Sequence, residues 1–277
     1  MSDKNVLVIN ENNLQNIEDN DGYSAFEGLG FEGVTSDDLS IPYIKLLQSN
    51  SPELANDERL KSGMMYNPVT KEAFNADTGF VFQPCYMEHI FAEWPAEGET
   101  GPVIGHPYAA YLNKYLSLPF HINKSGVVTT SREGPDKHVF TDTYQVYGMF
   151  LADDGVTSTG FGIVSFSKTK MKAYKDWCTS LFSVQCNKVT PPLFANRARF
   201  TAVKKTNAKG TFYVYKIEPF KETWVKSLID PRTERHLLVK GKEIMDNAIN
   251  EKKKFGNVVV GVNDADELDS TSIDVPF

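Results

Sequence analysis

The 277-residue chain reads as a mainly β protein with a few helices, an α+β arrangement, on three observations. Two stretches rich in β-branched and aromatic residues fold back on clear turn signals. A third such run, residues 79–94, is long enough for a strand of its own. Helical spacing of apolar residues appears in only two places, near 168–182 and 231–253.

The elements follow in order. Residues 1–39 are acidic and Asn-rich with glycines at 22, 28, 30 and 33, a composition that leaves a segment disordered. The core opens with IPYIKLLQSNSPEL, residues 41–54, whose Ile41, Ile44, Leu46 and Leu47 suit a strand or short turn entering it. GFVFQPCYMEHIFAEW (79–94) suggests a long strand, with Pro84 placing a bulge or an edge in it. VFTDTYQVYGMFLADDGVTSTGFGIVSFS (139–167) is a hairpin turning at Asp153-Asp154-Gly155. KTKMKAYKDWCTSLF (168–182) spaces Met171, Tyr174, Cys178 and Leu181 as an amphipathic helix. After Pro191-Pro192, residues 193–220 give a second hairpin turning at 207–210, and Asp230-Pro231 starts a final helix. The core thus spans 40–256, and 257–277 form a second disordered acidic tail.

Charge is distributed unevenly. The formal net charge is -7, yet residues 1–40 hold nine acids against Lys4, and the last 17 residues hold five acids and no base. Residues 168–254 carry 20 bases and 8 acids, a regional charge of +12 that calls for an anionic partner. No apolar run is long enough to span a bilayer and no leader pattern opens the chain, so no membrane partner is expected and the location is the cytoplasm, a host's if the protein is viral. Cys85, Cys178 and Cys186 form no CxxC pair and read as reduced thiols. A zinc site built from Cys178, Cys186 and a distant His is the weaker reading, so no metal and no cofactor are expected.

No nucleotide-binding, nucleophile-elbow or zincin motif is present, which argues against an enzyme. Glu88-His89 lies in an expected strand and Asp153-Asp154 in a turn, so both have structural explanations. The basic half carries the better signal. Lysines and arginines interleaved with aromatics on hairpins suit single-stranded DNA, with cations tracking phosphates and rings stacking on bases. The candidates are Lys168, Lys170, Lys172, Arg197, Arg199, Lys204, Lys205 and Lys209 for phosphates, and Trp177, Phe200, Tyr213 and Tyr215 for stacking.

The acidic run DADELDSTSIDVPF, residues 264–277, finishes on its most apolar residue. Phe277 suits an apolar pocket on a partner protein, with Asp274 meeting a basic rim and Pro276 limiting the entropy lost on docking.

Asp274-Val275-Pro276-Phe277 resembles the acidic tip of bacterial single-stranded DNA-binding proteins, which ends Asp-Ile-Pro-Phe, with Val275 in the Ile position. Phage single-stranded DNA-binding proteins resemble the same layout of basic OB-type core and acidic tail. The resemblance implies an OB-like antiparallel barrel with insertions around 95–135, sequence-independent binding of single-stranded DNA, and a tail that recruits replication, recombination and repair proteins. It covers a small part of the chain, and the core does not align with the bacterial family. IPYIKLLQSNSPEL also resembles the opening of a group of phage-encoded proteins, which implies viral origin. Three other readings stay open: a strand-annealing recombination protein, a metal-dependent nuclease with dispersed carboxylates, and a host-factor-binding protein without DNA.

Overall fold

Strand β4, Phe80–Trp94, is the spine of the fold, as its uninterrupted β-branched and aromatic content requires. The computed structural model describes residues 42–101, 103–186, 188–208 and 210–255, all within one unit of the chain, Ile41–Phe277. β4 pairs antiparallel with β8 (Val139–Leu151) from Val81↔Leu151 to Trp94↔Val139, with the register shifting between Pro84 and Tyr86. Pro84 has no N–H to give the ladder, so the expected irregularity falls at that residue. Its partner is Gly148, where a Cβ would sit 2.2 Å from the Gln83 carbonyl oxygen and 2.6 Å from the Phe82 ring, so only glycine lets the two strands close.

β8 turns into β9 (Ser158–Ser167) through 152–157, where the Asp154 carboxylate accepts hydrogen bonds from the Val156 and Thr157 N–H groups and the Thr157 hydroxyl. Asp154 thus closes this turn. β10 (Ala198–Asn207) and β11 (Gly210–Pro219) form the second hairpin, paired from Ala198↔Pro219 to Asn207↔Gly210. β10 joins β4 only over Ala198↔Phe82 to Phe200↔Phe80, so the far half of the hairpin extends as a two-stranded ribbon.

Among the described residues, eleven strands make one mixed sheet, whose main path runs β11, β10, β4, β8, β9, β1, β2, β3. β1 (Tyr43–Leu46) lies parallel to β9, and short β2 (Met65–Tyr66) and β3 (Ala73–Phe74) extend the sheet beyond it. The sheet is therefore mixed, where an OB-like antiparallel barrel was expected. β1 and β9 are about 120 residues apart in sequence, and the register Tyr43↔Ile163 that unites them leaves no local signal. The segment expected to hold insertions, 95–135, supplies β5 (Ile104–Pro107) on β4, helix α2 (Tyr108–Ser117), and the hairpin β6 (Phe120–Ile122) and β7 (Val128–Glu133) on β8. A single helical turn, α1 (Glu53–Asn56), follows β1.

Alternation along the strands divides the apolar residues between two faces. Phe80, Phe82, Phe150, Phe166 and Phe200 build the main core, with Phe80 and Phe200 stacked at 5.1 Å. Helix α3 (Met171–Phe182) covers it through Tyr174, Trp177 and Leu181, one helical stripe, and each fully buried ring contributes about 2–3 kcal/mol by area. Val81, Met149 and Leu151 point the other way and pack with Ile229, Leu237, Leu238 and Ile244, the last three from helix α4 (Arg235–Phe255). α4 starts four residues after the expected Pro231, because 231–233 form a turn first. All three cysteines are free thiols. Among the described residues, no helix is long and apolar enough to cross a membrane.

Candidate nucleic-acid interface

α3 presents a second stripe besides the buried one. Its Lys172, Ala173, Asp176 and Ser180, with Thr169 from just before the helix and the buried Trp177, form one wall of a groove of about 260 Å³. The other wall is the ribbon: Val203, Lys205, Val214 and Lys216 share one face, and Tyr215 and Ile217 the other. The groove wraps the outer edge of β11, the end strand of the sheet.

Three segments thus bring Lys172, Lys205 and Lys216 to one place against a single acid, Asp176. Lys172 pairs with Asp176 at 2.8 Å and Lys216 with Glu218 at 2.8 Å, all four side chains largely in solvent. Such pairs are worth about 0–1 kcal/mol, so a phosphate oxygen can replace either carboxylate at little cost. Lys204 and Lys205 are exposed and have no ion-pair partner among the described residues.

Of the residues singled out in the sequence, the groove gathers Lys172, Trp177, Lys205 and Tyr215. Their roles divide. Trp177, Phe200 and Tyr215 are at most 2% exposed and pack edge to face in the core, so they cannot stack on bases. Lys170 is buried as well, in the 3₁₀ turn Lys168–Lys170 that leads into α3, and Lys168 is half-buried with a φ of 48°.

Arg197 is 1% exposed and fully engaged: its guanidinium donates to the Gly155, Ser227 and Leu228 carbonyls and forks onto both Glu234 oxygens at 2.9 and 3.0 Å. It is a staple between the β8–β9 turn, β10 and the start of α4, and has no donor left for a phosphate. Burial pushes the Glu234 carboxyl up, but Arg197 and the Asp230 N–H outweigh it and hold it below its usual range. Arg199 is half-buried and donates to Asp153 and the Thr78 carbonyl. Tyr213 lies against Gly63 rather than in the groove. Lys209 and Asp274, Val275, Pro276 and Phe277 fall outside the described residues.

Sequence reasoning missed Lys216 and the hydroxyls of Thr169 and Ser180. Alternation on β11 places Lys216 on the face of Val214, and that signal was available.

A larger cleft, about 790 Å³, lies between residues 94–99 and the β6–β7 hairpin, with Trp94, Ile122 and Val139 in its lining. Glu97, Glu99 and Glu133 outnumber Lys124 and Lys137 there, so it offers a polyanion no net attraction. Nearby, Glu93 accepts from His106 at 2.5 Å and His138 at 2.8 Å, and His89 meets Asp142 at 2.5 Å while stacked between Tyr108 and Tyr144. These groups tie α2 and β5 to the sheet. Burial pushes the Cys85 thiol up to about 12 and raises Cys178 too, which leaves neither a ready nucleophile. Among the described residues, no three His, Cys, Asp or Glu side chains gather as a metal site.

A mixed, helix-buttressed β-sheet with a lysine-lined groove at its edge defines the class of protein. Residues 11–245 match the family described as Pam3 phage gp34-like protein, and the chain belongs to that phage family. No curated protein and no solved structure matches it.

Proposed function

We propose that this phage protein binds single-stranded DNA without sequence preference during replication, recombination or repair, and that the segment Asp274–Phe277 recruits partner proteins. The observation that carries the reading is the convergence of Lys172, Lys205 and Lys216, from α3, β10 and β11, on one groove. Cations converging from three elements track a flexible phosphate backbone and read no base edges. Phage membership and the regional charge of +12 agree with the reading. The part an OB barrel would play is taken by the curled edge of the sheet, so OB topology is not required. The basal affinity comes from charge, and base stacking falls to residues other than Trp177, Phe200 and Tyr215.

The test is fluorescence anisotropy with a labelled dT oligonucleotide of about 30 residues, against duplex and RNA of equal length. The reading expects tighter binding to the single strand, and a salt slope that flattens by about 0.7 for each of Lys172, Lys205 and Lys216 replaced by Ala. Binding that ignores all three replacements would place the interface elsewhere.

A further inference from the structure

The ribbon that carries Lys204 and Lys205 has little to hold it. β4 stops pairing with β10 at Phe200, and Ala202 donates one further bond to the Ala76 carbonyl at 2.8 Å. Beyond that, the strand pairing of Val203–Asn207 among the described residues is with β11. β11 in turn is an end strand, and an open strand edge at the end of a two-stranded ribbon is free to twist.

One side chain changes this. The Gln48 carboxamide accepts from the Tyr213 N–H at 2.9 Å through Oε1 and donates from Nε2 to the Tyr213 carbonyl at 3.1 Å, across 165 residues of sequence. A primary amide in this pose reproduces both bonds of a ladder partner, so it acts as a one-residue strand on the edge of β11. Gln48 is itself anchored: it follows β1, its own N–H donates to the Ser51 hydroxyl at 2.8 Å, and its neighbour Leu47 exchanges bonds with Gly63 and Met64. The Tyr213 ring completes the contact by lying on Gly63, where a Cβ would come within 2.4 Å of it. β1 and β11 lie at opposite ends of six consecutive strands of the sheet, and Gln48 joins them.

We propose that Gln48 is a positioning residue for strand binding: its amide latches the β11 edge and so sets the ribbon lysines in place relative to α3. Lys204 is the cross-strand partner of Tyr213 and Lys205 that of Phe212, so the latch acts in the pair that holds Lys204 and one pair away from Lys205. Gln48 itself touches no nucleic acid in this account. The inference rests on the strand-binding reading for its consequence, but the latch can be read without DNA.

Two measurements on the full chain test it, with Gln48→Leu as the variant, which keeps the bulk and removes both hydrogen bonds. Hydrogen exchange should show the Tyr213 amide losing about tenfold in protection while core amides of β4 and β8 keep theirs. Unchanged Tyr213 exchange would overturn the latch, whatever DNA does. Anisotropy with labelled dT of about 30 residues should show affinity falling roughly three- to tenfold. In a Lys204→Ala/Lys205→Ala/Lys216→Ala background the same substitution should have almost no effect, because the ribbon lysines it positions are gone. Equal losses in both backgrounds would mean general loosening and would overturn the positioning role. If the unsubstituted protein binds no strand, the function reading fails, and with it the consequence drawn for Gln48, while the exchange result still decides the latch.

Discussion

Arg197 offers the sharpest separation between a structural and a DNA-contacting cation. The perturbation is Arg197→Met, which keeps the length and apolar bulk of the side chain and deletes all five hydrogen bonds. Three carbonyls lose a donor, and Glu234, whose side chain is 14% exposed, loses its bidentate partner. Breaking a buried ion pair from one side costs about 3–5 kcal/mol, mostly because the remaining charge is stranded. For a unit of this size each kcal/mol moves the melting temperature by about 2–4 °C, so a fall of roughly 6–20 °C is expected. The double variant Arg197→Met/Glu234→Leu should recover part of the loss, since no charge is then left without its partner. Urea unfolding and thermal melts measure both. DNA affinity, taken well below the melting temperature, should stay within about twofold of the unsubstituted protein, because a loss of strand contacts would cost more. A stable Arg197→Met protein that has lost DNA binding would refute the reasoning.

Other consequences follow from the same packing. Trp177→Ala should cost about 3–5 kcal/mol in urea unfolding, and Trp177→Phe much less, with DNA affinity retained in Trp177→Phe; loss of binding in the Phe variant would restore the stacking role. Gly148→Ala should fail to accumulate as folded protein, since the Gln83 backbone at 2.2 Å cannot move without opening β4 from β8; a soluble variant with the parent's circular dichroism would contradict this. Hydrogen bonding to Glu93 raises His138 above 6.5, against the pull of burial, with Glu99 adding to the rise. That stabilisation is complete below pH 6.5 and is lost as pH rises through the raised value. Burial pushes Glu93 up, but His106 and His138 outweigh it and hold the carboxyl below 4.5, so its contribution is present above pH 4.5 and is lost as pH falls through the lowered value. Both contributions coexist between about pH 4.5 and 6.5, and the gap in melting temperature between the parent and Glu93→Gln should be widest there and narrow toward pH 9. A gap independent of pH would exclude the ionic contact.

Much of the fold was legible because its signals are local. Asp154-Gly155 and Asn207–Gly210 mark the two long hairpins, Pro84 marks the bulge in β4, and the spacing of Tyr174 and Leu181 marks α3. The parallel pairing of β1 with β9 leaves no such trace, since it depends on where the whole sheet brings residues 43 and 163. The site was legible as a region and not as a list of residues. Period two groups Phe200 with Ala202, and Tyr213 with Tyr215, but it does not say that α3 covers that face and turns the rings from surface into core. Arg197 looked like a phosphate ligand because its acceptors lie 30 to 42 residues away at Ser227, Glu234 and Gly155. Lysines are easier to place, since a long charged side chain rarely finds a buried partner; Lys172, Lys204 and Lys205 stayed exposed, and Lys170 did not.

Recruitment by the acidic segment gives a separate expectation. Deleting residues 264–277 should tighten DNA binding and abolish capture of replication or recombination proteins, and no change in either would exclude that role for the segment.

The most direct test of the account is the salt dependence of binding to labelled dT of about 30 residues, for the parent and for the triple variant Lys172→Ala/Lys205→Ala/Lys216→Ala. The parent should prefer this strand to duplex, and the triple variant should bind more weakly with a slope shallower by about 2. A parent that binds no single strand at low salt, or a triple variant with the parent's slope and affinity, would contradict it.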